Sequence, residues 1–285
     1  MNKGVILFAH NNRQIDYARM SILCARLAKK NLGVPVSLVS DPSTVEWMKE
    51  SKILEEATNI FDNIIITQRP EDGNMKNYCD GKNITPAPFS NGNRFSVYDV
   101  TPYDRTLLID TDYLVMSDNL NEYWDVDADL LMSPRYNDIM GMDRIGYLDK
   151  HISETGVQMY WATTVMFTKN ENTKIFFDLV ELVKERYKTF ADVFRFDSRI
   201  FRNDIAFSIA KHILNGFQPV QEYNLPDVFS VADKDILHDV SKGNIQFLIA
   251  NKDRYVAASV KDKDVHVMNK YSIVRHYDKL MELAE

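Results

Sequence analysis

The fold is decided by the stretch Thr106-Leu107-Leu108-Ile109-Asp110-Thr111-Asp112-Tyr113-Leu114-Val115-Met116. An apolar run precedes the acidic pair and a second one follows it, so the pattern predicts a buried central strand that ends at Asp110-Thr111-Asp112. Two carboxylates placed there need partners, because an unpaired charge inside a core is costly. A divalent cation that prefers oxygen ligands, Mg²⁺ or Mn²⁺, is one such partner. The other interpretation is a simple turn, since Asp-x-Asp sequences also occur at ordinary turn caps.

The residues before this stretch predict a βαβ unit. Residues 4–9 are typical of a buried strand, residues 15–32 carry apolar side chains at helical spacing, and residues 34–40 predict a second strand. Asp41 can cap a short helix that begins near Thr44. Such units impose a parallel sheet with right-handed crossovers, and ligands bind at the carboxyl ends of its strands. The first 70 residues therefore predict a nucleotide-binding unit.

Further elements are expected along the rest of the chain. Residues 69–91 are rich in Pro, Gly, Asn and Asp without a period and predict a long loop. The other expected elements are a strand at 63–67, a short helix at 94–100, strands at 129–133 and 160–168, helices at 172–187 and from Asn203, then strands or loops after 218 and a final helix at 277–283. No internal repeat divides the sequence.

Composition and charge limit the classes of function that the sequence allows. Hydrophobic residues make up 45% and charged residues 26% of the 285 residues, which are values typical of a globular protein. The net charge of −7 weakens the case for nonspecific nucleic-acid binding, which depends on a surplus of Lys and Arg. An anionic substrate would need local neutralisation by a divalent cation or by a few aimed basic groups.

Compartment signals favour the cytoplasm. The apolar run at residues 4–9 is too short for a signal-peptide core, and no run of about 18 apolar residues predicts a membrane span. Cys24 and Cys79 are too few and too scattered for a disulfide framework or a zinc site, which fits a reducing compartment. A cytoplasmic protein is therefore expected.

Residues 105–115 resemble the acidic strand end of the metal-dependent glycosyltransferases of the GT-A fold, most closely the branch with glycogenin and the bacterial lipopolysaccharide galactosyltransferases. The resemblance implies an α/β fold: a Rossmann-like nucleotide-binding domain whose mixed, mainly parallel central sheet is flanked by helices. It implies one domain over residues 1–285, in which residues 1–116 bind the nucleotide-sugar and residues 117–285 form the acceptor-binding half and tail. The implied reaction moves a sugar from a nucleotide diphosphate, a UDP-sugar being the expected donor, to a hydroxyl acceptor, with Mn²⁺ or Mg²⁺ and with retention of anomeric configuration.

The same resemblance assigns donor contacts near the first strands. His10, Asn11 and Asn12 follow the first strand, with Tyr17 beyond them, where such enzymes hold the nucleoside. Asp41 follows the second strand, where a contact to the base is usual. Turn chemistry explains the two asparagines equally well, and a helix cap explains Asp41.

Other donor contacts are implied further along the chain. Arg94 lies where family members carry a basic residue that reaches the donor phosphate or sugar, and its alternative is a surface ion pair. Thr111 is expected to contact the donor from within the acidic motif. The strand at 160–167 resembles the one that lines the donor sugar, but it departs from the usual pattern at Thr163 and Thr164. These hydroxyls are expected to bond sugar hydroxyls, or to pack as β-formers.

The metal shell implied by the resemblance is completed near the C-terminus. Asp110, Asp112 and a late His are expected to ligate the cation, and a Lys then contacts the diphosphate. His266 and Lys270 match that spacing, and an imidazole is an acceptable ligand for Mn²⁺. His276 is the rival for the histidine position.

Catalytic roles are expected for Asp112 and Asp204. Asp204 opens a helix at Arg202-Asn203-Asp204, and in the family a comparable Asp points into the active site near the acceptor. It would position the acceptor hydroxyl or stabilise developing positive charge on the sugar, although a helix cap needs no such role.

Two rival functions use the same features. A sugar-phosphate nucleotidyltransferase also binds a metal ion through two carboxylates. Such enzymes usually have a glycine-rich loop after the first strand, whereas residues 10–13 of this chain contain no glycine. A protein that binds nucleotide-sugars or carbohydrates without turnover is the other rival. The sequence leaves open the oligomeric state and the acceptor, which is a glycan, a protein, a small molecule or a modified nucleic acid.

Overall fold

The computed structural model describes residues 1–12, 14–69, 73–90, 92–142, 150–154, 156–218 and 223–285. The strands are β1 (Lys3–Ala9), β2 (Val36–Ser40), β3 (Asn63–Ile66), β4 (Met75–Asp80), β5 (Asn83–Pro88), β6 (Arg105–Ile109), β7 (Tyr113–Leu114), β8 (Leu130–Ser133), β9 (Tyr136–Asp138), β10 (Trp161–Thr168), β11 (Val228–Val231), β12 (Ile236–Ser241), β13 (Asn244–Asn251), β14 (Arg254–Lys261) and β15 (Val265–Val267). The α-helices are α1 (Tyr17–Leu32), α2 (Pro42–Glu50), α3 (Leu54–Ile60), α4 (Val97–Val100), α5 (Glu171–Glu185), α6 (Tyr187–Phe194), α7 (Asn203–Leu214), α8 (Lys270–Arg275) and α9 (Tyr277–Glu282). Short 3-10 helices cover Arg94–Ser96 and Asn119–Tyr123.

The central sheet has six strands in the order β3-β2-β1-β6-β10-β8. The first four strands are parallel, and β10 runs antiparallel to both of its neighbours. β1 and β6 are buried almost throughout, as expected for strands that are covered by helices on both faces. The expected α/β class with a mixed, mainly parallel sheet flanked by helices is confirmed.

The predicted βαβ unit is present, and its helices end where local chemistry dictates. Asp16 accepts a hydrogen bond from the Arg19 N–H at the start of α1, and Gly33 ends the helix with a left-handed φ of 65°. Asp41 caps α2 by accepting from the N–H groups of Ser43 and Thr44. The unit places the ends of β1 and β2 beside each other, with the loop after β1 above them.

Most of the predicted elements are confirmed, but the expected long loop at 69–91 is wrong. Within the described part of that region, β4 and β5 form an antiparallel hairpin joined by the two-residue loop Gly81-Lys82. Gly81 has a φ of 62°, a value that favours glycine in such loops. Pro86 and Pro88 are tolerated because β5 pairs on one side only.

The C-terminal tail returns to the acidic motif. β15 pairs antiparallel with β7, and β11 pairs parallel with both β15 and β9, which gives a four-stranded sheet in the order β7-β15-β11-β9. β12, β13 and β14 form a separate antiparallel meander. α8 follows β15 directly and is an addition to the predicted helices. Among the described helices, none combines the length and apolarity needed to cross a bilayer.

Candidate active site

A cleft of about 600 Å³ opens at the carboxyl ends of β1 and β6. Its walls also include the β4–β5 hairpin, the N-terminal end of α7 and the loop after β15. Its polar lining includes the acidic motif together with several lysine, arginine and histidine side chains, which are His10, Lys76, Arg94, Arg202, His266 and Lys270. The position matches the general rule that ligands of such sheets bind beyond the carboxyl ends of the strands.

The acidic motif is a tight turn between β6 and β7. The Tyr113 N–H donates to the Asp110 carbonyl at 3.0 Å, and the Asp110 N–H donates to the Thr163 carbonyl of β10 at 3.0 Å. The thiol of Cys24 lies 3.2 Å from the Tyr113 carbonyl, beneath the turn. These bonds fix the direction of both carboxylates, and all three motif residues line the cleft.

Asp112 is paired with two groups from the tail. Lys270 donates to its Oδ2, and Nε2 of His266 lies 3.2 Å from the same oxygen. Burial disfavours ionisation of Asp112, but Lys270 and His266 outweigh it and hold the pKa of this carboxyl well below its usual value. The charge of Asp112 also keeps the pKa of Lys270 raised despite burial. Asp112 is therefore an anion held by cations.

Asp110 has the opposite environment. Burial raises its pKa, and the neighbouring charge of Asp112 acts in the same direction. Arg94 opposes the shift by donating from Nη1 to Oδ1 of Asp110 at 2.7 Å. The Arg94 side chain is itself buried, so this pair is not the exposed surface ion pair that formed the alternative interpretation.

The acidic pair and His266 have the chemistry of a divalent-cation site. One ligand atom from each of Asp110, Asp112 and His266 can be chosen so that all three lie within 4.8 Å of one another. Two carboxylate oxygens and an imidazole nitrogen suit Mn²⁺, and an open side toward the cleft leaves room for further oxygen ligands. His266 rather than His276 joins the carboxylates, since His276 ends α8 away from the cleft lining.

The loop after β1 is held by polar contacts. Nδ1 of His10 donates to Oδ2 of Asp41 at 2.9 Å, and Arg69 donates to the same oxygen at 3.1 Å. Burial disfavours the anion of Asp41, yet these hydrogen bonds and those from Ser43 and Thr44 lower the pKa of Asp41. His10 lines the cleft, whereas Asp41 lies behind it. Asp41 therefore positions His10 and caps α2.

Asn11 and Asn12 act as turn residues. Oδ1 of Asn11 accepts from the Ala18 N–H at 2.7 Å, and Oδ1 of Asn12 accepts from the Ile15 N–H at 2.7 Å. Neither asparagine is part of the cleft lining. Their side chains shape the loop that carries His10, as the turn interpretation expects.

The structure separates the two threonines of β10. Thr163 lines the cleft, but Oγ1 of Thr164 lies 2.7 Å from Oγ of Ser133 inside the sheet. Adjacent strand residues point to opposite faces, so only one of the two faces the cleft. The predicted donor contact of Thr164 therefore has no geometric support.

Tyr17 and Asp204 both line the cleft. The Tyr17 hydroxyl lies 2.9 Å from the Tyr78 hydroxyl of the hairpin. Oδ1 of Asp204 accepts from the Ala162 N–H at 2.9 Å, which ties the start of α7 to β10. Asp204 is half-buried, and Ile200, which also lines the cleft, is 43% exposed.

Sequence reasoning missed several lining residues. Lys76 comes from the hairpin that was expected to be a loop, and Tyr136 comes from β9. The Tyr136 ring stacks on Trp161 with a centroid distance of 4.2 Å, and its hydroxyl lies 3.4 Å from Nδ1 of His266. The Gly81-Lys82 dipeptide between two extended runs fits a two-residue hairpin loop with glycine at its first position, a signal that would have revealed the hairpin that carries Lys76.

Comparisons with known proteins find solved glycosyltransferase structures that are similar to this chain at low sequence identity. No protein-family model and no curated protein matches the chain. The glycosyltransferase GlyE of Streptococcus pneumoniae TIGR4 is 14% identical with a TM-score of 0.38, over 76% of this chain and 44% of that protein. The galactosyltransferase LgtC, solved with donor and acceptor sugar analogues, is 14% identical with a TM-score of 0.43, over 72% of this chain and 69% of LgtC. The PaToxG glycosyltransferase is 14% identical with a TM-score of 0.40, over 75% of this chain and 69% of that protein.

These are structures to which this chain is similar. The chain spans less than half the length of GlyE. All three of these proteins are named as glycosyltransferases.

Proposed function

We propose that this chain is a metal-dependent glycosyltransferase that uses a nucleotide diphosphate sugar. The observation that carries the proposal is the cluster of Asp110, Asp112 and His266, within 4.8 Å of one another and flanked by Arg94 and Lys270 in one cleft. Such a site binds an anionic diphosphate through a divalent cation and two fixed basic groups. A bound Mn²⁺ or Mg²⁺ would supply charge neutralisation for the departing diphosphate.

The lining residues divide the cleft into two ends. Residues 1–116 supply His10, Tyr17, Arg94 and Thr111, and we assign this half to the nucleotide-sugar. Residues 117–285 supply the aromatic and acidic groups near α7, and we assign them to the acceptor. In this proposal a single domain, made of residues 1–116 and 117–285, binds both the donor and the acceptor.

The chain's own side chains have distinct roles in transfer. Departure of a diphosphate creates negative charge, which Lys270 and Arg94 stabilise from positions held by their carboxylate partners. Asp204 lies at the acceptor end and orients the acceptor hydroxyl, or it stabilises positive charge that develops on the sugar. Burial of Asp112 keeps these charges in a region of low dielectric, where they are stronger than in water.

UDP-sugars are the first donors to test, and retention is the expected stereochemical outcome. Thr163 is the β10 hydroxyl that faces the donor sugar, because Thr164 bonds Ser133 instead.

A donor screen tests the function without knowledge of the acceptor. UDP-sugars and GDP-sugars are added with Mn²⁺, and thermal unfolding and donor hydrolysis are measured, because a ligand that binds the native state raises its apparent stability. We expect one nucleotide class to raise the melting temperature and to be hydrolysed slowly to the nucleoside diphosphate. Binding without turnover over a panel of acceptors would favour a carbohydrate-binding protein, and release of pyrophosphate from a nucleoside triphosphate plus sugar phosphate would favour a nucleotidyltransferase.

A further inference from the structure

We propose that Lys76 is a second ammonium group for the donor diphosphate, placed across the cleft from Lys270 by the β4–β5 hairpin. This inference rests on the proposed function and extends it to a residue outside the expected motifs. Lys76 and Lys270 both line the cleft that contains the acidic motif. They come from elements nearly 200 residues apart, so their convergence is a property of the fold.

The described surroundings of Lys76 are aromatic. Its Nζ lies 5.0 Å from the ring centroid of Phe89 and 5.8 Å from that of Tyr78. Among the residues that the structure describes, no carboxylate forms an ion pair with Lys76. Aromatic faces attract an ammonium group only weakly, so they direct the Lys76 side chain but do not neutralise its charge.

Electrostatics favours an anion beside Lys76. Burial lowers the pKa of Lys76 to about 8, and repulsion from Lys270 contributes to the shift. An anion bound between the two ammonium groups would relieve both effects at once. A diphosphate has the charge and the length to contact two cations, and lysine acts on phosphate as a point charge.

The hairpin that carries Lys76 is anchored by one residue near the N-terminus and one near the C-terminus. Asn12 donates from Nδ2 to the Pro88 carbonyl at 2.8 Å, and Arg275 of α8 donates to Asp80. The hairpin is thus attached to the loop after β1 and to the helix that carries Lys270. These contacts hold the hairpin backbone against the cleft, and Lys76 lines the cleft from that backbone.

The alternative is that Lys76 only packs on Phe89 and supports the hairpin. Lys76→Met keeps most of the side-chain volume and removes the charge, while Lys76→Arg keeps the charge. The matched control is Lys82→Met in the exposed loop of the same hairpin. Dissociation constants for UDP and uridine, and for GDP and guanosine, are measured for all four proteins by calorimetry and competition.

For the nucleotide that the wild type prefers, we expect Lys76→Met to weaken diphosphate binding by about 10- to 100-fold, which is the usual range for a lost hydrogen bond to a charged group. Nucleoside binding should change by less than about twofold, Lys76→Arg should retain most of the affinity, and Lys82→Met should behave as wild type. Equal losses for diphosphate and nucleoside, or no loss in Lys76→Met, would overturn the assignment of Lys76 alone. A wild-type protein that binds neither diphosphate would overturn the proposed function itself, and the Lys76 assignment with it.

Discussion

The ammonium group of Lys270 donates to Oδ2 of Asp112, across 158 residues of sequence. The same oxygen faces His266, so a cation arriving at the acidic motif meets an ammonium group that already pairs with one of its ligands. Lys270 therefore has two alternative anionic partners in the proposed reaction, the carboxylate of Asp112 and the diphosphate of the donor. A cation bound to Asp112 would replace Lys270 as the partner of this carboxylate, and Lys270 could then contact the donor diphosphate.

Removing the Asp112 carboxylate should abolish catalysis. We expect Asp112→Ala to lower Mn²⁺-dependent donor hydrolysis by roughly 100-fold or more, because it removes one cation ligand and the partner of Lys270. The rate is measured by nucleoside diphosphate release at saturating donor. Asp118→Ala, an exposed carboxylate shortly after the motif, is the control and should retain full activity. Undiminished hydrolysis in Asp112→Ala would exclude the proposed cation site.

Lys270→Met should change the response to metal without any substrate. Breaking the buried pair leaves Asp112 with His266 as its remaining partner, so we expect a loss of about 3 kcal/mol in the free energy of unfolding. Mn²⁺ should then raise the melting temperature more in Lys270→Met than in wild type, since no ammonium group competes for Oδ2 of Asp112. Lys279→Met, which breaks the exposed pair with Asp239, should cost under about 1 kcal/mol. A smaller Mn²⁺ effect in Lys270→Met would contradict the competition.

Asp204 should affect turnover more than donor binding. Asp204→Asn keeps an oxygen for the Ala162 N–H but removes the charge, so we expect a native melting temperature with kcat reduced by roughly 100-fold. Asp204→Ala also loses the hydrogen bond and should cost about 1 kcal/mol in stability. Steady-state kinetics with an acceptor and donor binding by calorimetry separate the two effects. Full kcat in Asp204→Asn would assign Asp204 to α7 packing alone.

Donor affinity should fall as pH rises above about 8. In the free protein the pKa of Lys76 is lowered to about 8 by burial and Lys270, while Asp112, Asp110 and Asp233 oppose the shift. The ammonium form, which binds phosphate, is therefore present below this pH and is lost above it. The pKa of Lys270 is raised above its ordinary value, so Lys270 keeps its charge over this window.

Titrating the affinity for UDP from pH 6.5 to 9.5, in the absence of added metal, checks the assignment of this effect to Lys76. Wild type should weaken between pH 8 and 9.5, and Lys76→Met should already be weak and nearly flat. Lys76→Arg should stay tight, because a guanidinium group remains charged throughout. The same decline in Lys76→Met would trace it to another group.

Asp41 should stabilise the loop after β1 only while it is ionised. Its folded pKa is lowered, so its contribution is present above the unfolded pKa of about 3.9 and is lost as pH falls below that value. Asp41→Asn should cost about 2–3 kcal/mol at pH 7, since the anion accepts from His10 and Arg69 as well as capping α2. Urea unfolding at pH 7 and pH 3 should show the difference from wild type shrinking at the lower pH. An unchanged difference would mean that packing, not charge, is responsible.

Local patterns predicted the strand of the acidic motif well. The apolar residues on either side of Asp110 and Asp112 favour burial whatever the rest of the fold is. The turn between the two strands is formed by residues that are adjacent in the sequence, so it is also a local feature. His266 was predicted from its spacing in a resembling family, and the pairing of β15 with β7 brings it beside the acidic motif. The pairing itself involves only two residue pairs and leaves little periodic signal.

The residues that the sequence analysis missed are brought to the cleft by contacts between distant parts of the sequence. Lys76 reaches the cleft because Asp80 is anchored by Arg275, a contact between positions 195 residues apart. Tyr136 lies beside His266 because β9 pairs with β11, and three residue pairs leave no recognisable pattern in the sequence. Thr164 bonds Ser133 inside the sheet while Thr163 lines the cleft, because strand register decides which of two neighbouring side chains faces the cleft.

The pairing of β15 with β7 joins residues that are synthesised at very different times. The ribosome makes the acidic motif early, but His266 and Lys270 emerge only after a further stretch that exceeds half of the 285 residues. The βαβ half can fold in that interval, as N-terminal units commonly do. A chain cut short before residue 265 would keep the strands of the βαβ half and both aspartates, yet it would lack His266 and Lys270. Such a fragment would therefore lack one ligand of the proposed cation site and one ammonium group of the proposed diphosphate site.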